Sequence, residues 1–330
     1  MRTRSLRPWD ASADKGPATG SARPSATAST AGAALAVCGT GLVLSGAVDL
    51  AVGGGDAATL ILIGAGAGAA GTLLLRTVAM PDRVPPRIAL RTVIVAALVM
   101  IVLSAITYLA TGTIGRVDDA LFESTAGFST TALTVIPDLE SVGEGVLFWR
   151  ALTQWFGGFF ALATIVSVLP FLGVGGPQSA GAAAPVGAKH LFSLHVRRLM
   201  ARYFGLYLGL TAIGAVLFLI GGMGPFDAVT YAFTTISTGG FANHDSSFSH
   251  FDSATLEWLG VVGMFIGGLS FPLAWSVLRD RSVAGIRSIE LQAYVALIVV
   301  TTAVLSLTTD SQTGVHDTIR TSAFSATSAV

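Results

Sequence analysis

The sequence predicts an all-α polytopic membrane protein, built from repeated span–pore-loop–span units with re-entrant half-helices and preceded by two extra helices. Three observations predict it. The 330 residues are 52% hydrophobic and only 12% charged, with mean hydropathy +0.71; a soluble domain carries about 25% charged residues. A short polar loop recurs inside the apolar pattern, first as Ser129-Thr130-Thr131-Ala132-Leu133-Thr134 and again as Ser237-Thr238-Gly239-Gly240-Phe241. Lys and Arg crowd into alternate connections, as expected of a chain that crosses a bilayer repeatedly.

The elements follow in order. Met1 to about Ser29 is rich in Ala, Ser, Thr, Pro, Arg and Asp and reads as a disordered cytoplasmic tail, residues 1–30. The apolar run after it starts too late for a cleaved signal, so Ala31 to Val52 reads as a retained helix. A span needs about 20 mostly apolar residues. Seven stretches qualify: Ala31 to Val52, Ala57 to Leu75, Thr92 to Thr111, Val146 to Leu172, Tyr203 to Met223, Trp258 to Leu278 and Leu291 to Leu307. Residues 31–87 hold the two extra helices and 88–175 the first pore repeat. Residues 176–200 form a cytoplasmic loop, 201–280 the second repeat and 288–330 a third, cut before its loop. Val117 to Thr134 and Pro225 to Asn243 are too short and too polar to span, so each is expected to enter the membrane and turn back. His316 to Val330 looks like the half-helix of the third unit. Phe122 precedes Ala132 by ten positions, and that spacing carried from Phe324 lands just past Val330, so the chain is expected to be an N-terminal fragment.

Charge sets the orientation. With the N-terminus inside, inner segments hold 16 of the 19 Lys and Arg residues, and only Arg116, Arg150 and Arg320 lie outside. If the half-helices crossed fully, this asymmetry would vanish, so they re-enter on the outer face. That face is acidic: Asp118, Asp119, Glu123, Asp138, Glu140 and Glu144 flank the first loop, and Asp227, Asp245, Asp252 and Glu257 the second. A cleft lined by one sign of charge concentrates counter-ions, so the passenger is a cation.

A hydroxyl- and glycine-rich loop at membrane depth must line something wet, because lipid cannot satisfy its backbone groups. Loop carbonyls can replace the water shell of a cation. Ser129, Thr130, Thr131 and Ala132, with Ser237, Thr238, Gly239 and Gly240, are therefore the candidate ion-binding residues. Gly239 is matched to Ala132, an offset of 107 positions, and Gly239-Gly240 admits close approach of backbone. Each half-helix would aim the negative pole of its dipole at the ion, with Asp119 and Asp227 capping the positive pole. Gly157-Gly158 and Gly267-Gly268 read as helix-packing contacts. Arg150, at the start of a span, is expected to snorkel to the surface.

Other functions are disfavoured. A formal net charge of zero gives no case for nucleic acid, and the single cysteine, Cys38, excludes an internal disulfide and a cysteine metal site. His190 and His195 fall in the inner loop and His244, His250 and His316 outside, with no metal-ligand spacing, so they read as solvated. No paired carboxylates, HExxH or Ser/His/Asp set lies at membrane depth, so an enzyme is not expected. Coupled transporters usually place ionisable residues within their spans; here the spans are nearly free of them, and Asp49, close to the outer end of the first, is the main exception.

Four stretches carry a family resemblance: Asp119-Ala120-Leu121-Phe122-Glu123; Leu147-Phe148-Trp149-Arg150 with Gln154-Trp155-Phe156-Gly157-Gly158; Ser237-Thr238-Gly239-Gly240-Phe241 with His244-Asp245; and Phe251-Asp252-Ser253 with Glu257-Trp258 and Gly267-Gly268. From about Ala31 onward the chain resembles the Trk/Ktr/HKT superfamily of cation transporters, in particular its TrkH-like potassium-uptake branch. The resemblance implies four non-identical pore repeats, a homodimer in the plasma membrane and a cytosolic nucleotide-binding regulatory subunit of the TrkA-like kind. It implies K+ as the transported ion, no covalently bound cofactor, and a selectivity filter whose carbonyls come from Thr130, Thr131, Ser237 and Thr238. The family pattern has a glycine at Ala132, and plant relatives with serine there favour sodium. Sodium permeation, cation-coupled secondary transport and a non-conducting fragment are the alternatives.

Overall fold

The computed structural model describes residues 25–78, 86–168, 186–270, 273, 288–308 and 314–330. Among them all regular structure is helical. Two helices open the chain, α1 (Ala26–Val52) and α2 (Ala57–Thr77); α1 ends at Gly53, whose φ of 80° supplies a left-handed cap. They form a tight hairpin at a small-residue interface: a Cβ on Gly39 would meet Gly68 N at 2.5 Å and Gly64 O at 2.6 Å. Asp49, buried near the end of α1, accepts hydrogen bonds from Asp56 N (2.8 Å) and Gly145 N (3.1 Å). The one acid of the first span thus ties α1 to the start of the first repeat's second long helix.

Four helices make the first repeat and its link to the second. These are α3 (Pro86–Ala110), α4 (Val117–Phe128), α5 (Glu144–Val168) and α6 (Val186–Gly221). The second repeat continues with α7 (Pro225–Ile236), a 3-10 turn (Ser247–Phe251) and α8 (Ala254–Gly267); α9 (Ile289–Thr308) and α10 (Val315–Ala329) follow. Helix α6 begins inside the segment read as a connecting loop. The helical stretches Ala26–Val52, Ala57–Thr77, Ile88–Ala110, Arg198–Gly221 and Ile289–Thr308 are long and apolar enough to cross a membrane. Most of the predicted tail, and much of the predicted Trp258–Leu278 span beyond α8, lie outside the described residues. Helices α4 and α7 have 12 residues each, about 18 Å at 1.5 Å per residue, against a hydrocarbon core of about 30 Å. Neither can cross it.

Aromatic side chains of α5 knit the repeats together while their polar ends find partners, as buried indoles require. Trp149 Nε1 donates to Ser104 Oγ on α3 (2.9 Å), and Trp155 Nε1 donates to Thr211 Oγ1 on α6 (3.1 Å). Tyr207 stacks on Trp155 and donates to its carbonyl at 2.9 Å. The glycine pairs pack as expected. A Cβ on Gly157 would strike the carbonyl oxygen of Phe128 at the end of α4, and one on Gly267 would meet Thr235 O at 2.9 Å at the end of α7. Each long helix therefore seats against the C-terminal carbonyls of its half-helix, and only glycine lets it. Gly157→Val is expected to cost about 1–3 kcal/mol by overpacking, read as a lower melting temperature in detergent. Gly66→Val, at a position with nothing within 4 Å, should leave it unchanged.

Candidate cation-binding site

The two polar loops leave their half-helices in the same way. After α4, Thr130 N donates to Gly127 O (3.0 Å) and Thr131 N to Ala126 O (2.8 Å); after α7, Thr238 N donates to Thr235 O (3.1 Å) and Gly239 N to Thr234 O (2.8 Å). Thr130 and Thr238 both have φ of 55°. The half-helices start and stop 108 residues apart, as do these bonds and torsions. The offset of 107 is therefore corrected: Thr131 corresponds to Gly239, and Ala132 to Gly240. The slip came from anchoring on the first glycine rather than on the half-helix end.

Gly240 has φ of 85°, while Ala132 is not among the positive-φ residues. Besides Gly240, left-handed backbone falls on the β-branched Thr130 and Thr238, where that conformation is a genuine outlier. Non-glycine residues held there cost of order 1–3 kcal/mol and cluster at functional sites.

The loops converge. A cavity of about 490 Å³ is lined by Thr130 and Ala132 from the first, Thr238, Gly239 and Gly240 from the second, and residues at the end of α10, including Thr327. Ser129, Thr131 and Ser237 are off its wall. Ser129 Oγ and Thr131 Oγ1 share a hydrogen bond of 3.0 Å, and the buried Ser237 donates to Thr234 O at 3.2 Å. Ala132 and Gly240 face each other, since a Cβ on Gly240 would lie 2.9 Å from that of Ala132.

A buried polar brace from α5 holds both loops. Gln154 Oε1 accepts from Phe241 N (2.9 Å), while its Nε2 donates to Thr131 O (3.4 Å); a Cβ on Gly239 would collide with this carboxamide. One turn earlier Arg150, 1% exposed, pairs with the fully buried Glu123 of α4 at 2.9 Å. Its other nitrogens donate to Ala242 O (3.1 Å) and Thr134 Oγ1 (3.2 Å), and its guanidinium sits 4.2 Å from the Phe241 ring centre. Glu123 also accepts from Thr134 Oγ1 and Val135 N, both at 3.0 Å. The expectation that Arg150 snorkels is overturned. Its carboxylate partner and the carbonyl acceptor lie inside, so the charge is neutralised where it stands.

The capping role of the two aspartates is corrected as well. The N-caps are Arg116 and Gly224, without side-chain cap bonds, and Asp119 and Asp227 are the third residues of their helices, within the first turn. There they still meet the positive end of the helix dipole. Asp119 pairs with Arg116 (3.4 Å) and Asp227 accepts from Asn243 Nδ2 (2.8 Å). Arg116 also hydrogen-bonds Asp118 and holds its carboxyl below the usual range. Sequence reasoning missed Gln154 and the Glu123–Arg150 pair. The available signal was Arg150 and Gln154 four residues apart, on one face of a Trp-bearing span.

Comparison with known proteins fits this geometry. The TrkH family of cation transport proteins matches residues 68–313. The Trk system potassium uptake protein TrkH of Vibrio parahaemolyticus is 37% identical over 168 residues, covering 51% of this chain and 35% of that protein. TrkI, a Trk system potassium uptake protein of Halomonas elongata, is 31% identical over 195 residues, covering 59% and 39%. The crystal structure of the potassium transporter TrkH from Vibrio parahaemolyticus aligns with a TM-score of 0.79 at 26% identity, over 92% of this chain and 63% of that one. The matched region spans about 35–39% of the length of these curated relatives. Apolar helices of spanning length, two half-helices and the family match together make this a multi-pass membrane protein, and the chain belongs to the TrkH family of cation transport proteins.

Proposed function

We propose that this chain forms part of a potassium-uptake conduit in the plasma membrane, with its N-terminus cytoplasmic and its half-helices entering from outside. The observation that carries this reading is the pair of loops with matched left-handed threonines around one cavity. Backbone carbonyls of Thr130, Ala132, Thr238, Gly239 and Gly240, with Ser129, Thr131 and Ser237 behind them, replace the hydration shell of K+. The C-terminal poles of α4 and α7 add partial negative charge, about half an elementary charge each before screening. The Glu123–Arg150–Gln154 brace fixes the loops, so the carbonyls do not collapse onto a smaller ion.

Residues 88–175 and 201–280 act as two pore repeats and 288–330 opens a third. The uptake system includes a second copy of the chain and a cytosolic nucleotide-binding regulatory subunit, in keeping with relatives named as Trk system proteins. Sodium permeation is the second reading, drawn from Ala132 standing where the family pattern has glycine, and the relatives, named as potassium uptake proteins, do not favour it. The test is rubidium and sodium uptake by the complete reading frame in cells lacking their own potassium-uptake systems. Rubidium uptake blocked by excess potassium is expected. Sodium uptake of equal size, or flux of neither ion, would contradict the reading.

A further inference from the structure

We infer that Glu140, His244 and His250 form a binding site for a divalent transition-metal cation of the zinc class, clamping together the segments that follow the two polar loops. Histidines six positions apart, with Glu140 more than 100 residues upstream, carry no sequence signature of a metal site. The fold assembles them. One ligand atom from each of the three lies within 4.8 Å of the others.

Three observations point to a ligand. The rings of His244 and His250 lie side by side, with centroids 3.6 Å apart and planes 1° from each other, so two imidazole donors are already gathered, and His250 must turn for their in-plane lone pairs to converge on one ion. Both ring nitrogens of His244 are buried from solvent yet make no hydrogen bond, and a buried polar group without a partner is costly. Two acids stand beside them: Asp227 Oδ1, which accepts from Asn243, lies 3.4 Å from Nε2, and Glu140 Oε1, which accepts from Asp245 N, lies 3.9 Å from Nδ1. In metal sites a carboxylate often orients one nitrogen of a histidine while the other meets the metal. Here Asp227 would orient and Glu140 would ligate.

The donor set selects the ion. Imidazole suits zinc, copper and nickel, whereas calcium and magnesium take oxygen ligands. Bonds of about 2.0–2.2 Å in a tetrahedron need ligand atoms closer than they stand now. Glu140 and His250 are exposed and can rotate inward, while His244 is held. Water would complete four-coordination.

The site lies where the two repeats are already stitched. Leu139 N donates to Asp245 Oδ1 (3.1 Å) and Asp245 N to Glu140 Oε1 (3.3 Å). A bound dication would lock this stitch and place positive charge on the acidic side that gathers cations.

The test is titration of zinc chloride into the purified protein, prepared without a polyhistidine tag. Cobalt absorption in parallel reports a four-coordinate site. One saturable zinc per chain is expected, weakened at least roughly tenfold in His250→Ala and in Glu140→Gln. Asp138→Asn, outside the proposed ligand set, should bind as the parent does. Melting temperatures without metal confirm that each variant is folded. Absence of saturable binding, or equal binding by parent and His250→Ala, would overturn the site. The readout is binding rather than flux, so it stands apart from the identity of the transported ion.

Discussion

Arg150→Met is expected to destabilise the protein by about 3–5 kcal/mol, because it leaves the Glu123 carboxylate buried and unpaired. Both charges are almost free of solvent contact and each has several partners. Glu123→Gln should be damaging for the same reason from the other side, leaving a buried guanidinium facing an amide. The double variant Glu123→Gln/Arg150→Met removes both charges and should recover most of the stability, since neutral replacement of a buried pair is often close to neutral. Stability is only half of the expectation. The pair also ties α4 to Val135 and, through Ala242, to the second loop, so the double variant should fold and still transport poorly. Melting temperature in detergent and rubidium uptake, measured on all three variants, separate the two effects. A single variant with the parental melting temperature would show that the pair does not carry this load.

Gly240→Ala should impair transport more than any substitution at Ala132. Its φ of 85° costs a β-carbon about 1–2 kcal/mol, and that β-carbon would stand 2.9 Å from the one on Ala132. A penalty of that size depletes the native loop conformation by roughly 5–30-fold, and rubidium uptake should fall accordingly. Ala132→Gly alone should retain uptake. Combined with Gly240→Ala it should relieve the contact but not the torsion, giving partial recovery. Full recovery would mean that the torsion is not what matters. An unchanged Gly240→Ala would mean that the loop does not line the path.

Much of this was legible in the sequence because bilayer physics writes in long strings. Apolar runs of spanning length, polar interruptions that open on Asp119 and Asp227, and the sidedness of Lys and Arg all follow from one solvent. The half-helices emerged within a few residues, and of the eight candidate loop residues Thr130, Ala132, Thr238, Gly239 and Gly240 line one cavity while Ser129, Thr131 and Ser237 do not. What escaped depends on contacts across the chain. A charge at the head of a span looks the same whether it snorkels or pairs, and only the fold brings Glu123 to Arg150, 27 residues away. The register slipped by one because a glycine is conspicuous, whereas the helix end that sets the torsions is not. The histidine cluster was invisible because its third member comes from the other repeat.

The central claim is that the carbonyls of these two loops hold a potassium-sized cation. Anomalous scattering from crystals of the protein grown in rubidium tests it most directly. The account predicts a rubidium peak in the cavity between Thr130 and Thr238, lost in sodium. Rubidium ordered elsewhere, with that cavity empty in a protein that still transports it, would contradict the account.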